Sequence, residues 1–201
     1  MQEMIKEPTT RNAKATFKAL IDAAEQSFYE KGYHGTTVST ITQNAGVAAG
    51  TFYLYFPSKM ALYQHMLIKY SKDIRRTIAE KVALKTTRFE KEREGIKAFI
   101  LLAKEKPYMY NIIWESLYID RELFKDYYES FAKRYVKGLN ASLEQKEIRS
   151  LDTEVISYIL MGITNFIGLK VVLDLGTNNE NIDNIVNVVM ELIRHGLFLK
   201  E

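Results

Sequence analysis

Hydroxyl and methyl groups crowd together in the short stretch Thr51-Phe52-Tyr53-Leu54-Tyr55. Phenol and threonine hydroxyls can bond phosphate oxygens, and threonine or leucine methyls can meet thymine methyls in a major groove. Gly50, just ahead, lets a backbone come close to another molecule. Lys59, just beyond, could set an ammonium against a phosphate beside helix amides. The groups that do covalent chemistry are scarce by comparison. The chain has no cysteine, and its three histidines, His34, His65 and His195, have no metal-ligand spacing. There is no nucleophile motif and no glycine loop to cradle phosphates. The expected chemistry is binding rather than catalysis, with no metal and no cofactor.

The elements that must hold this stretch are helices. Phe17, Leu20, Ile21, Ala24 and Phe28 fall at helical spacing and predict one buried stripe on a helix from Arg11 to Lys31. Gly32 stops it. Thr36 or Thr37 caps a second helix whose inward face is Val38, Ile41 and Ala45. Gly46 supplies a tight turn plugged by Val47. A third helix is expected from Ala48 to Phe56, with Phe52 and Phe56 pointing inward, and Pro57 ends it. Ser58 caps a long fourth helix reaching Val82 or beyond. A helix, a glycine turn and a second short helix form the arrangement that presents one helix to DNA.

Composition is consistent with this reading. Of 201 residues, 47% are hydrophobic, so a sizeable core is available and global disorder is not expected. Prolines are confined to Pro8, Pro57 and Pro107, strand signals are sparse, and apolar residues recur at helical spacing almost throughout. The expected fold class is all-α: an N-terminal helix-turn-helix domain over residues 1–57 and a larger helical domain over residues 58–201, with a flexible arm up to about residue 10. The N-terminus lacks an apolar signal region, and no apolar run is read as a membrane span, since Asp174 ends the best one. A cytoplasmic protein is expected. The net charge of +3 says little. Between Lys59 and Lys106 bases outnumber acids (Lys69, Lys72, Arg75, Arg76, Lys81, Lys85, Arg88), which fits either solvated helix faces or phosphate contact.

The segment GVAAGTFYLYFPSKMALY resembles the signature of the TetR family of bacterial transcriptional regulators. The matching positions are Gly50, Thr51, Phe52, Tyr53, Leu54, Tyr55, Phe56, Ser58, Lys59 and Leu62. Upstream, Ala23, Ala24, Phe28, Gly32, Tyr33, Thr36, Thr37, Ile41, Ala45, Gly46 and Val47 also stand where the family has them. The resemblance covers residues 13–65, about a quarter of the chain. It implies a homodimer, each subunit offering its third helix to half of a palindromic double-stranded DNA operator. It also implies C-terminal helices that bind a small hydrophobic effector and pair with the other subunit. The DNA-facing set is then Thr37, Ser39, Ala49, Gly50, Thr51, Tyr53, Leu54, Tyr55 and Lys59. Family members often carry polar or basic residues where this chain has Ala48 and Ala49, so direct readout would rest on Thr51, Leu54 and Tyr55, with help from DNA shape. A helical dimeric scaffold or ligand-binding protein that reads little sequence is the alternative.

The C-terminal half suggests a dimer independently. Ile182, Ile185, Val189, Leu192, Gly196 and Leu199 step by three and four, with Val186, Ile193 and Leu197 widening the stripe. A helix from Asp152 to Leu175 is apolar nearly all round, with Gly162 and Gly168 as close-approach points. A four-helix bundle across a two-fold axis would bury such faces, as would an ordinary monomer core. The interface expected is Ile185, Val189, Leu192, Ile193 and Gly196. Pro107 opens a helix carrying Tyr110, Trp114 and Tyr118, and the next helix carries Tyr127 and Phe131. With Met161, Asn165 and Phe166 these form the expected pocket for a flat or greasy ligand. The rings serve equally as core filler, and Asn165 as a bond across the dimer.

Overall fold

Capping chemistry sets most of the helix starts. The computed structural model describes residue 5 and residues 8–174 and 179–197, and among these nine helices are found. They are α1 (Arg11–Gly35), α2 (Val38–Asn44), α3 (Ala49–Phe52), α4 (Lys59–Val82), α5 (Arg88–Glu105), α6 (Pro107–Ile119), α7 (Arg121–Glu144), α8 (Thr153–Leu173) and α9 (Asn179–Leu197). Side-chain oxygens of Thr10, Thr37, Ser58, Thr87 and Asp152 accept amides that would otherwise lack a partner in the first turns of α1, α2, α4, α5 and α8. Pro107 opens α6, where its missing N–H costs nothing. No strand occurs among the described residues. The expected arm and the helix ends expected at Leu175 and Leu199 fall on residues that lie wholly or partly outside that range.

The chain divides into two compact units, Met1–Ser71 with Tyr108–Lys125 and Lys72–Pro107 with Asp126–Glu201. A single boundary at Pro57, as the sequence suggests, is not how these units are drawn. α6 belongs with the N-terminal helices, and α4 supplies its first half to one unit and its second half to the other.

In the first unit, Leu20, Ala24, Ile41, Phe52, Phe56, Leu62, Tyr63 and Met66 are buried. Phe17 stacks on Phe56 with ring centroids 4.9 Å apart, and Phe28 meets Tyr63 edge-on at 5.4 Å. α6 is bolted into this unit by hydrogen bonds. The Tyr63 hydroxyl donates to the Ile112 carbonyl, and the Glu115 carboxylate accepts the Tyr33 amide at 2.7 Å.

In the second unit, α5 packs against α8 and α9 around Ile96, Ile100, Leu139, Leu160, Val171, Ile182, Val186, Val189 and Ile193. α5 is the element that the sequence reading missed. Its start is marked by a capping box in which Thr87 and Glu90 each hold the other's backbone amide. α8 also corrects an expectation. With a mean hydropathy of 1.8 over its best window, it is long and apolar enough to cross a membrane by length and composition. In this fold it buries Ser157, Leu160, Met161, Gly168 and Val171 within the subunit and leaves the opposite side bare.

Candidate nucleic-acid interface and binding cavity

The corner between α1 and α2 positions the candidate reading face. The Thr36 hydroxyl donates to the Gly32 and Ser27 carbonyls at 2.8 and 3.0 Å, which fixes the exit from α1. Gly46 then takes φ 68°, a left-handed turn that a side chain disfavours. The Val47 amide donates to the Thr42 carbonyl at 3.0 Å, closing the turn that aims α3.

α3 is shorter than its sequence suggests. Its α-helix ends at Phe52, and residues 53–55 continue as turns held by the Leu54, Tyr55 and Phe56 amides donating back to Thr51 and Phe52. Phe52 and Phe56 are buried as expected. Tyr53 and Leu54 are 59% and 61% exposed, and Ala49, Gly50, Thr37 and Ser39 are exposed with them. Thr51 is half-buried. A methyl added at Gly50 would meet nothing within 4 Å, so its backbone is open to an incoming surface.

Two residues of the expected DNA-facing set are placed differently. Tyr55 is half-buried, with its ring edge-on to Phe17 at 5.6 Å, because the shortened helix turns it back onto α1. The Lys59 ammonium points inward and donates to the Tyr33 and Thr36 carbonyls, both at 2.6 Å, with the Tyr33 ring 4.1 Å away. Desolvation, partly offset by Glu115, holds this lysine below its ordinary range. Lys59 thus clamps the end of α1 with two of its three donors.

The second unit contains a cavity of about 380 Å³ between the C-terminal half of α4 and α5, α7 and α8. Four of the expected ligand residues line it: Tyr127, Phe131, Met161 and Asn165. Tyr110 and Trp114 do not, since α6 belongs to the other unit, where Tyr110 is buried and Trp114 neighbours Tyr110 and Phe124. Tyr118 is 84% exposed on α6, and Phe166 is 65% exposed on the far side of α8.

The sequence reading also missed the cavity's charge. Arg75, Arg88, Lys91 and Arg134 line it, against Glu92 alone. The sequence offers Arg75 and Arg88 as solvated bases or phosphate contacts; in the fold Arg88 is buried and Arg75 half-buried. Arg88 pairs with Glu92 one turn along α5, its Nε donating at 2.6 Å, and the Tyr135 hydroxyl donates to the other Glu92 oxygen. Gly138 leaves room for the guanidinium, since a methyl there would stand 2.8 Å from Arg88 Nη1. Burial and the neighbouring Glu92 push the Tyr135 phenol well up. The i, i+4 spacing of Arg88 and Glu92 is the signal that could have found this pair. Asn165 spans the wall, donating to the Met161 carbonyl at 2.8 Å and accepting from the Tyr128 hydroxyl at 3.3 Å.

The expected interface residues split between two faces of α9. Val189 and Ile193 are buried inside the subunit, Ile185 packs partly against the same core, and Leu192 is 72% exposed, while Gly196 faces open space. On α8, Val155, Ile159, Phe166 and Leu173 are exposed.

Residues 20–66 match the sequence family described as bacterial regulatory proteins, tetR family. The fatty acid metabolism regulator protein of Bacillus subtilis is 34% identical over 79 residues, which cover 37% of this chain and 41% of that protein. The matched stretch spans less than half the length of the curated relatives. Solved structures extend the likeness over the fold. The fatty acid degradation regulator FadR of Bacillus halodurans superimposes with a TM-score of 0.79 at 21% identity, covering 93% of this chain and 96% of that one. FadR of Bacillus subtilis, solved in complex with stearoyl-CoA, gives 0.74 at 25% identity over 88% and 97%. The match over residues 20–66 thus falls on the helix-turn-helix, and the solved regulators share the helical architecture behind it.

Proposed function

We propose that this chain is a ligand-responsive DNA-binding transcriptional regulator, a cytoplasmic homodimeric repressor that a small apolar or aromatic effector releases from a palindromic operator. The observation that carries it is α4. One helix begins with Lys59, whose ammonium clamps the exit of α1 next to the reading face, and ends with Arg75, Ile78 and Val82 in the cavity wall. A ligand that shifts the wall shifts the helix that seats the head. A dimer must match half-sites about one DNA turn apart or a multiple of it, so a small change in head spacing costs affinity twice. The cavity of about 380 Å³ lies at the lower end of the usual range for small-molecule sites, roughly 300–1,000 Å³. The stearoyl-CoA held by the Bacillus subtilis relative supports an effector role for such a cavity.

The test is binding of the purified protein to DNA from upstream of its own gene, against a scrambled duplex, at low and near-physiological salt. Preference for the native sequence that survives salt is the expected result. Equal, weak binding to both duplexes that vanishes with salt is phosphate contact alone and would overturn the reading of an operator in that region.

A further inference from the structure

We infer that the reading face selects its operator through thymine methyl groups, with Leu54 and the methyl of Ala49 as the groups that meet them. This rests on the reading of the chain as a DNA-binding regulator and adds the base feature that the head reads.

In the major groove every base pair shows hydrogen-bonding groups, and the apolar group that sets thymine apart is its C5 methyl. Hydrogen-bond readout uses arginine or lysine on guanine, asparagine or glutamine on adenine, and a carboxylate on cytosine. None of these residue types stands between Val47 and Ser58. The exposed residues of that stretch are Ala48, Ala49, Gly50, Tyr53, Leu54 and Pro57. Lys59, the first base beyond them, spends its ammonium on the Tyr33 and Thr36 carbonyls. On α2 the Asn44 amide donates to the Ser27 hydroxyl at 3.2 Å. The exposed amide of Gln43 lies ahead of the turn, and in such a motif the helix after the turn enters the groove. The hydroxyls of Thr51 and Tyr53 remain, and a hydroxyl both donates and accepts, so it separates the bases poorly. What the face presents for discrimination is therefore apolar. Leu54 is 61% exposed, yet its backbone is fixed. Its amide donates to the Thr51 carbonyl at 3.3 Å, the Tyr55 amide donates to the Phe52 carbonyl at 3.0 Å, and Phe52 and Phe56 are buried on either side. A methyl built on Gly50 meets nothing within 4 Å, so a base edge has room to approach there. Thymine rewards that approach by burying its methyl against leucine and alanine carbons, and cytosine offers no such group.

The test selects duplexes from a random pool with the full-length protein, then remakes the selected duplex with deoxyuridine in place of thymidine, one position at a time. Uracil keeps the pairing and the O4 acceptor and lacks only the methyl. The selected duplexes are expected to carry thymine at fixed positions. Uracil there should weaken binding about 4-fold for each methyl met, the worth of one buried apolar carbon. At the same positions 5-methylcytosine should bind more tightly than cytosine by a similar factor. Leu54→Ala should weaken binding to the thymine duplex and lose most of the uracil penalty at the positions that Leu54 meets, and Ala49→Gly should do the same at its own. Both residues are exposed, so neither substitution threatens the fold. The comparison of thymine with uracil needs no variant at all. Equal binding of the two duplexes by the parent, or a uracil penalty that survives whole in both variants, overturns the inference. An enriched sequence would then leave the regulator reading standing without it. A pool from which no sequence is enriched overturns both, and gives the exposed Tyr53 and Leu54 to a partner other than an operator.

Discussion

Gly32 takes φ 68° and ψ 171°, a conformation close to glycine-only, and a methyl there would stand 2.8 Å from Glu115 Oε1. Gly32→Ala is therefore expected to destabilise the first unit by about 1–3 kcal/mol, measured by urea unfolding. It should also weaken DNA binding, since the Glu115 carboxylate accepts the next amide along the chain. Gly50 provides the contrast. Its added methyl meets nothing, and alanine is the better helix former, so Gly50→Ala should keep or raise stability while lowering operator affinity. A variant with unchanged affinity would show that no backbone approaches DNA at residue 50. Lys59→Gln separates two roles for that side chain. With its ammonium on the Tyr33 and Thr36 carbonyls, loss of charge should lower the melting temperature of the head more than it changes the salt dependence of DNA binding. A full unit lost from the salt slope with unchanged melting would return Lys59 to the phosphates.

At the scale of elements, the start of α5 makes a pH-dependent contribution. Hydrogen bonds from the Thr87 amide and hydroxyl hold the Glu90 carboxyl below its ordinary range. The folded chain thus binds fewer protons there than the unfolded chain. The contribution is whole above the unfolded value of roughly 4.3 and is lost as pH falls through the lower folded value. Thermal melts of Glu90→Gln against the parent should differ near pH 7 and converge near about pH 3, and a constant gap would assign the box no ionic part. Much of this scale was legible in the sequence. Ser58, Pro107 and Asp152 announced their helices because capping is a local chemistry that needs no knowledge of the rest of the fold. The buried stripe of α1 and the inward Phe52 and Phe56 followed from periodicity. α5 was passed over although Thr87 and Glu90 carry a capping box, because the basic stretch around them reads equally as solvated surface. The cavity was half legible for a related reason. Tyr127, Phe131, Met161 and Asn165 stand out by type, but assigning Trp114 or Arg75 to a wall or to another unit depends on how distant helices pack, and spacing along the chain does not encode that.

For the molecule as a whole, the two faces of α8 and α9 bear on the proposed homodimer. One face is spent inside the subunit, where Ile182, Val186, Val189, Met190 and Ile193 are buried. The other carries Val155, Ile159 and Phe166 on α8 and Val188 and Leu192 on α9, all exposed, with Gly162 and Gly196 opening onto empty space. Residues 155, 159, 162 and 166 step by four, three and four, so they share one side of a helix, and the glycine among them lets a second backbone come near. Apolar side chains exposed in this number are unusual on a monomer, and the proposed two-fold four-helix bundle would cover them with a copy of the chain. The two faces respond to substitution in opposite ways. Ile193→Asp places a carboxylate in the subunit core and should unfold the second unit. Leu192→Asp, at a position already exposed in the single chain, should leave unfolding of the isolated subunit within about 0.5 kcal/mol of the parent. The same carboxylate facing its symmetry mate in a dry interface costs far more, so this variant should sediment as a folded monomer at micromolar concentration. A monomer holds one reading head, and a palindromic operator rewards two held at fixed spacing. Leu192→Asp should therefore bind a single half-site as weakly as it binds the full operator, whereas the parent should strongly prefer the full operator. A variant that still sediments as a dimer and still prefers the full site would remove α9 from the proposed interface and leave the exposed side of α8, with Val155 and Ile159, as the surface that pairs.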